Sequence, residues 1–200
     1  MFATLLFTMT TTKSAIRASR ARRATLAAGF AALSILACHA PAADPLAEGM
    51  AAYARGDYTR AVGHLLPLAQ AGNAEAQVRI GTMYYRGLGV REDDSAAFAW
   101  FRRAATQGNA HGQRQLADMY VLGHGVPPEE LEEADRSAAR WYFESAQQDN
   151  AEAQYALGIL FYSGKGVVQS PEEALKWFRR AAKNGHADAQ RFLGTYKEPR

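Results

Sequence analysis

The chain repeats itself, and that limits what it can fold into more than any other feature. Ala74-Glu75-Ala76-Gln77 returns as Ala110-His111-Gly112-Gln113, Ala151-Glu152-Ala153-Gln154 and Ala187-Asp188-Ala189-Gln190, at offsets of 36, 41 and 36 residues. Behind it the same order recurs. Ile80-Gly81 matches Leu116-Ala117, Leu157-Gly158 and Leu193-Gly194. Gly87-x-Gly89-Val90 matches Gly123-x-Gly125-Val126 and Gly164-x-Gly166-Val167, and Trp100-Phe101 matches Trp141-Tyr142 and Trp177-Phe178. A unit this short cannot bury its apolar face alone, so consecutive units must stack.

Each unit reads as helix, glycine turn, helix. Gln77, Ile80, Gly81 and Tyr84 fall at i, i+3, i+4 and i+7, one stripe of a helix. Asn73, Asn109 and Asn150 precede three such helices, where a side-chain oxygen caps free N–H groups. Gly87, Gly123 and Gly164 follow the stripe, where a left-handed backbone ends a helix at little cost. Ser170-Pro171-Glu172-Glu173 has the form of a capping box with proline at the first helical position. Ala174, Trp177, Phe178, Ala181 and Ala182 form an inner face of small residues beside large ones. The three tryptophans recur at equivalent positions and are expected in the core rather than as ligand platforms. Gln77, Gln113, Gln154 and Gln190 are expected to bond to backbone in the adjacent turn.

The motif pair A-x-A-Q-x-x-L-G-x-x-Y and G-x-G-V…A-x-x-W-F-x-x-A-A resembles the Sel-one-like repeat (SLR) family, a relative of the tetratricopeptide repeats. The resemblance covers units at 74–109, 110–150 and 151–186, with a capping helix and tail at 187–200. Residues 43–73 are similar to a looser tetratricopeptide-type pair, with Gly56-Asp57-Tyr58 at its turn, Ala61 and Leu65 inward, and Pro67 expected to kink its second helix. Unit 2 carries five extra residues around Pro127 to Glu133, expected to lengthen its second helix by over a turn. The resemblance implies an all-α fold, a right-handed superhelix of antiparallel helix pairs, whose first helices line a groove for a protein or peptide partner. The groove positions it implies are Glu75, Val78, Thr82, Tyr85 and Arg86 in unit 1, and His111, Arg114, Asp118, Val121 and Leu122 in unit 2. Unit 3 supplies Glu152, Tyr155, Ile159, Tyr162 and Ser163. These differ from unit to unit, as specificity positions do, and Tyr85, Tyr155 and Tyr162 are the expected aromatic anchors. The paired cysteines of many exported relatives are missing, so penicillin binding or β-lactam hydrolysis does not carry over with the repeat. A cell-wall or β-lactam hydrolase stays as an alternative to the adaptor reading, as does a lipid-anchored assembly factor for an exported polysaccharide or surface structure.

Residues 1–42 read as an export signal. Lys13, Arg17, Arg20, Arg22 and Arg23 stand without an acid in an n-region at 1–23. The apolar run Ala24 to Ala37 follows, too short for a comfortable membrane span. Ala40-Pro41-Ala42 offers a cleavage site within 38–42 that would release a chain starting at Ala43. A second reading lipidates Cys38 behind Ile35-Leu36-Ala37, tethering the protein to a membrane. Met9 is an alternative start. The expected location is therefore periplasmic or secreted, with a membrane-anchored lipoprotein as the alternative. Cys38 is the single cysteine, so no disulfide holds the folded region. Without residues 1–37 the chain has 18 basic and 20 acidic residues, a mixed surface with no phosphate-binding stripe, which argues against nucleic acid. A monomer is expected.

No motif carries chemistry. The G-x-G-V turns follow helices and lack the third glycine of a dinucleotide site. His39, His64, His111, His124 and His186 show no i, i+4 pair and no acid–histidine cluster, so neither metal nor cofactor is expected. Glu129, Glu130, Glu132, Glu133 and Asp135 lack a calcium loop's spacing and read as a solvated helix face or a partner contact. Ser95, Ser137, Ser145, Ser163 and Ser170 stand in no nucleophile context. The chain is read as a non-enzyme.

Overall fold

The computed structural model describes residues 44–196, and every described element is helical. The expected export signal at 1–42, with Cys38, lies outside these residues. Helix α1 (Pro45–Ala54) pairs with α2 (Tyr58–Gln70), and α3 (Ala74–Arg86) with α4 (Asp94–Thr106). Helix α5 (Ala110–Leu122) leads through a 3-10 segment (Pro128–Glu133) into α6 (Ala134–Gln147). The pair α7 (Ala151–Ser163) and α8 (Pro171–Lys183) follows, then α9 (Ala187–Thr195). Each helix packs on the one after it, as a solenoid requires. None of the described helices is long and apolar enough to cross a membrane.

The predicted caps form. The side-chain oxygens of Asn73, Asn109 and Asn150 accept from the N–H groups of Ala76, Gly112 and Ala153 at 2.9, 2.9 and 3.0 Å. Gly87, Gly123 and Gly164 are all left-handed. The second glycine of each turn does something the periodicity did not reveal. A Cβ on Gly89, Gly125 or Gly166 would lie 2.7, 2.2 or 2.1 Å from backbone of Tyr58, Asp94 or Asp135, at the start of the preceding unit's second helix. The turn is thus also the point of closest approach between units.

Packing inside a unit relies on the same economy of side chain. A Cβ on Gly81 would stand 2.7 Å from the Phe101 ring, and one on Gly158 2.6 Å from Phe178. These rings are buried, as is Tyr142 in unit 2. The tryptophans differ from expectation. Trp100, Trp141 and Trp177 are half-buried at the core margin, each with a guanidinium over its ring, from Arg103, Arg140 and Arg180 at 4.5, 5.2 and 5.4 Å. The neighbouring Phe or Tyr takes the interior place, and the indole lies where it can accept a cation on its outer face.

The glutamines are the polar seam of the stack. Nε2 of Gln77, Gln113, Gln154 and Gln190 donates to the carbonyls of Ala69, Ala105, Ala146 and Ala182, in the last turn of the preceding helix. The Oε1 atoms of the first three accept from Gln107, Gln148 and Asn184, which cap the next helix. Buried amides with both ends satisfied fix the register of helix on helix.

Two local expectations are corrected. The insertion does not extend the second helix of unit 2 by over a turn: α6 has 14 residues against 13 in α4 and α8. Pro127 is extended (φ −56°, ψ 139°) because Pro128 disfavours the helical region before it, and the following residues wind as the 3-10 segment. Separately, Pro67 stands inside α2, which continues to Gln70; Pro67 and Gly63, whose carbonyl loses its partner, both face solvent. The capping box at Ser170 is half made. Ser170 Oγ accepts from the Glu173 N–H, but the Ser170 N–H goes to the Phe161 carbonyl and the Glu173 side chain to Lys176.

Candidate functional site

Helices α3 and α5 set their stripes side by side, and a concavity lies between them. A cavity of about 400 Å³ is lined by Tyr85, Arg86, Arg114, Asp118 and Val121 from these helices, with Tyr142 from α6. An adjoining one of about 330 Å³ is lined by Glu75, Val78, Arg79, Thr82 and His111, with Tyr53 from α1. Both share Arg86, Arg114 and Gln115. Beyond Arg114 a third, of about 570 Å³, continues past His111 to Glu152 and Asn184.

The floor is polar and internally satisfied. Arg114 Nη1 donates to Asp118 Oδ2 at 2.5 Å, Nη2 to Gln115 Oε1 at 2.6 Å, and the Tyr142 hydroxyl to Asp118 Oδ1 at 2.6 Å. Burial pushes the Asp118 carboxyl above its usual range, against the pull of Arg114 and of the Tyr142 bond, with Glu152 adding to the rise. Burial and then the Asp118 charge hold the Tyr142 phenol protonated. Both oxygens of Asp118 are thus engaged with architecture, and no serine or cysteine lines these cavities. No group of three metal-ligating side chains occurs among the described residues.

The expected groove positions divide. Val78, Thr82, Tyr85, Arg86, Arg114, Asp118 and Val121 are brought together, although the Thr82 hydroxyl is turned back to the Val78 carbonyl. Unit 3 behaves differently. Tyr155 stacks on His186 at 4.2 Å and lies 5.4 Å from Phe178, so it serves to seat α9. Ile159 and Tyr162 are 44% and 56% exposed but line none of the three cavities. Ser163 returns its hydroxyl to the Ile159 carbonyl.

Sequence reasoning missed Arg79, Tyr53, Gln115 and Tyr142. The signal for Arg79 was present, since 75, 79, 82 and 86 fall at i, i+4, i+7 and i+11 of one helix face. Its guanidinium lies over the Tyr53 ring at 4.4 Å. In the insertion, Glu130 also has a defined partner set, accepting from the Tyr120 hydroxyl and from Arg102 at 2.9 Å. Burial and then that carboxylate push the Tyr120 phenol up to about 12. This part of the acidic run is a clamp on α4 and α5, while Glu129, Glu132 and Glu133 remain exposed.

A family model, the Sel1 repeat, matches residues 74–109, 110–150 and 151–186, together more than half of the 200 residues. The chain belongs to the Sel1 repeat family. Proteins of this family generally act as protein-interaction scaffolds, and the fold is typically non-catalytic. The crystal structure of a Sel1 repeat protein from Oxalobacter formigenes is 34% identical with a TM-score of 0.68, over 74% of this chain and 59% of that one. A protective antigen of uropathogenic Escherichia coli strains that displays an SLR fold is also 34% identical, with a TM-score of 0.65, over 74% of this chain and 32% of that one. This Sel1 repeat chain therefore spans less than two thirds of either relative. The cysteine-rich protein B of Helicobacter pylori, 23% identical with a TM-score of 0.53 over 68% of this chain and 95% of that one, shares the fold. No curated protein matches the sequence.

Proposed function

We propose that this Sel1 repeat protein is an adaptor of the bacterial cell envelope that holds a protein or peptide partner in the groove between α3 and α5. One observation carries the reading. The positions that stacking requires recur in every unit, whereas those lining the cavities change from unit to unit and include exposed side chains with no packing duty, among them Arg86 and Val121. A surface released from the repeat's constraints is where partner choice is encoded. The basic and apolar character of residues 1–37 supports export, to the periplasm or beyond, or a lipid anchor at Cys38. The adaptor acts without chemistry of its own: the Arg114–Asp118–Tyr142 network on the groove floor is spent on itself.

A cross-linking amino acid at Val121 tests the groove in intact cells. The expected result is a discrete cross-linked partner that disappears when Tyr85→Ala and Arg86→Ala are added to the same chain. A partner captured equally well after both changes would remove this groove from consideration. Fatty-acid labelling that vanishes in Cys38→Ser would establish the anchored form, and its absence the soluble one.

A further inference from the structure

Five arginines of the described residues are matched with acids. Arg102 pairs with Glu130, Arg114 with Asp118, Arg136 with Glu133, Arg180 with Asp149 and Arg191 with Asp188. Two arginines in the groove have no acidic partner. Arg86 is exposed at the junction of the two cavities, and its side chain makes no ion pair or hydrogen bond among the described residues. Arg79 has only the face of Tyr53, and its Nε is shut off from solvent without an acceptor. Glu75, one turn before Arg79, is exposed and paired with neither. Asp118 is already held by Arg114 and Tyr142. Within these two cavities three guanidiniums therefore face two carboxylates, one of them consumed, in a folded region whose acids outnumber its bases. Immediately beside Arg86 the chemistry changes: Val121 and Leu122 are 36% and 55% exposed on the same cavity wall.

We infer that the groove takes an acidic peptide, seating a side-chain carboxylate between Arg79 and Arg86 and the adjoining apolar side chain against Val121 and Leu122. This rests on the groove being the partner site and adds the chemistry of the occupant. Fixed guanidiniums favour a carboxylate through charge-assisted hydrogen bonds, and Arg79 is already immobilised on Tyr53, so little freedom is lost when it binds. The cavities continue past Arg114 towards Glu152, so the segment runs through the groove and its carboxylate comes from a side chain, not from a chain end.

The probes are three fluorescein-labelled peptides with amidated C-termini, alternating leucine with glutamate, glutamine or lysine, read by fluorescence anisotropy against the whole chain. The glutamate peptide should bind at least about tenfold tighter than the glutamine peptide and weaken as salt is raised. Arg86→Glu should lower its affinity by about tenfold or more. Arg60→Glu, an identical change of charge on the exposed face of α2, should leave it unchanged. Equal binding of the glutamate and glutamine peptides, or equal loss in the two variants, overturns the carboxylate site while leaving a peptide groove in place. Preference for the lysine peptide, or no binding of any of the three, also overturns it, and the Val121 cross-link then decides separately whether the groove is used.

Discussion

Gly123 and Gly125 stand two residues apart in one turn, and replacing each by alanine separates two costs that the G-x-G motif normally confounds. Their φ angles are 70° and 63°, so an L-residue is strained at both by about 1–2 kcal/mol. The added methyl meets different surroundings. At Gly123 the nearest atom is Leu131 Cδ2 at 3.9 Å, an ordinary contact with a mobile side-chain end. At Gly125 it would lie 2.2 Å from the Asp94 carbonyl oxygen, 2.4 Å from its carbon and 2.8 Å from the Ser95 nitrogen. Those are backbone atoms in the first turn of α4, which cannot rotate aside, so units 1 and 2 would have to part. Overpacking of this kind costs about 1–3 kcal/mol, which places Gly123→Ala near 1–2 kcal/mol and Gly125→Ala near 2–5 kcal/mol. Urea unfolding followed by far-UV circular dichroism measures both. Gly166→Ala should follow Gly125→Ala, since its methyl would lie 2.1 Å from the Asp135 carbonyl oxygen. A falling m-value in either would show the solenoid uncoupling at that joint. Equal destabilisation by Gly123→Ala and Gly125→Ala would refute the claim that the second glycine serves contact between units.

Gln154→Ala should cost about 1–3 kcal/mol in the same assay, because it removes a fully buried amide that donates to the Ala146 carbonyl; Gln190→Ala, at the exposed equivalent, should cost less than about 1 kcal/mol. His186 caps α9 by accepting from the Ala189 N–H on Nδ1 while Nε2 meets Glu152. Asparagine caps the equivalent helices, so His186→Asn should be more stable than His186→Ala by about 1 kcal/mol in thermal melts. The Asp118 carboxyl sits above its usual range, so on acidification the folded chain binds a proton there before the unfolded chain does, and this residue's contribution to stability rises as pH falls through that window. Urea midpoints of wild type and Asp118→Asn, compared from neutral to acid pH, should move in the wild type's favour; a difference independent of pH would contradict this.

What was legible in the sequence was chemistry between residues at a short, repeated spacing. Asn73, Asn109 and Asn150 cap, Gly87, Gly123 and Gly164 terminate, and the four glutamines find carbonyls eight residues back, because a repeated neighbour at fixed spacing fixes the partner. The failures all involve atoms that spacing does not bring together. Tyr155 is on the same face as Val78 and Thr82 by count, yet His186 supplies a ring for it to stack on, so packing takes it from the groove. Glu130 belongs to a run that reads as solvated, but the proline pair turns the segment so that Glu130 meets Tyr120 and Arg102. Tyr53 comes from the least regular part of the chain and becomes the support of Arg79.

Unit 2 shows how a repeat can be altered without losing its stacking. Gly81 and Gly158 leave room for the edges of Phe101 and Phe178, whereas unit 2 has Ala117 and Tyr142 in those places. A ring set as Phe101 is would collide with the Ala117 methyl, so Tyr142 cannot repeat its neighbours' position. Its hydroxyl instead reaches Asp118, at the position held by Thr82 and Ile159 in the other units. Asp118 in turn anchors Arg114, which lies on all three cavities. A core change of one methyl and one hydroxyl is thereby transmitted to the groove floor as a fixed cation at its centre, beside the unpaired Arg79 and Arg86. The departures of unit 2 from the repeat are therefore coupled to one another, and together they make the middle of the solenoid the part most suited to choosing a partner by charge.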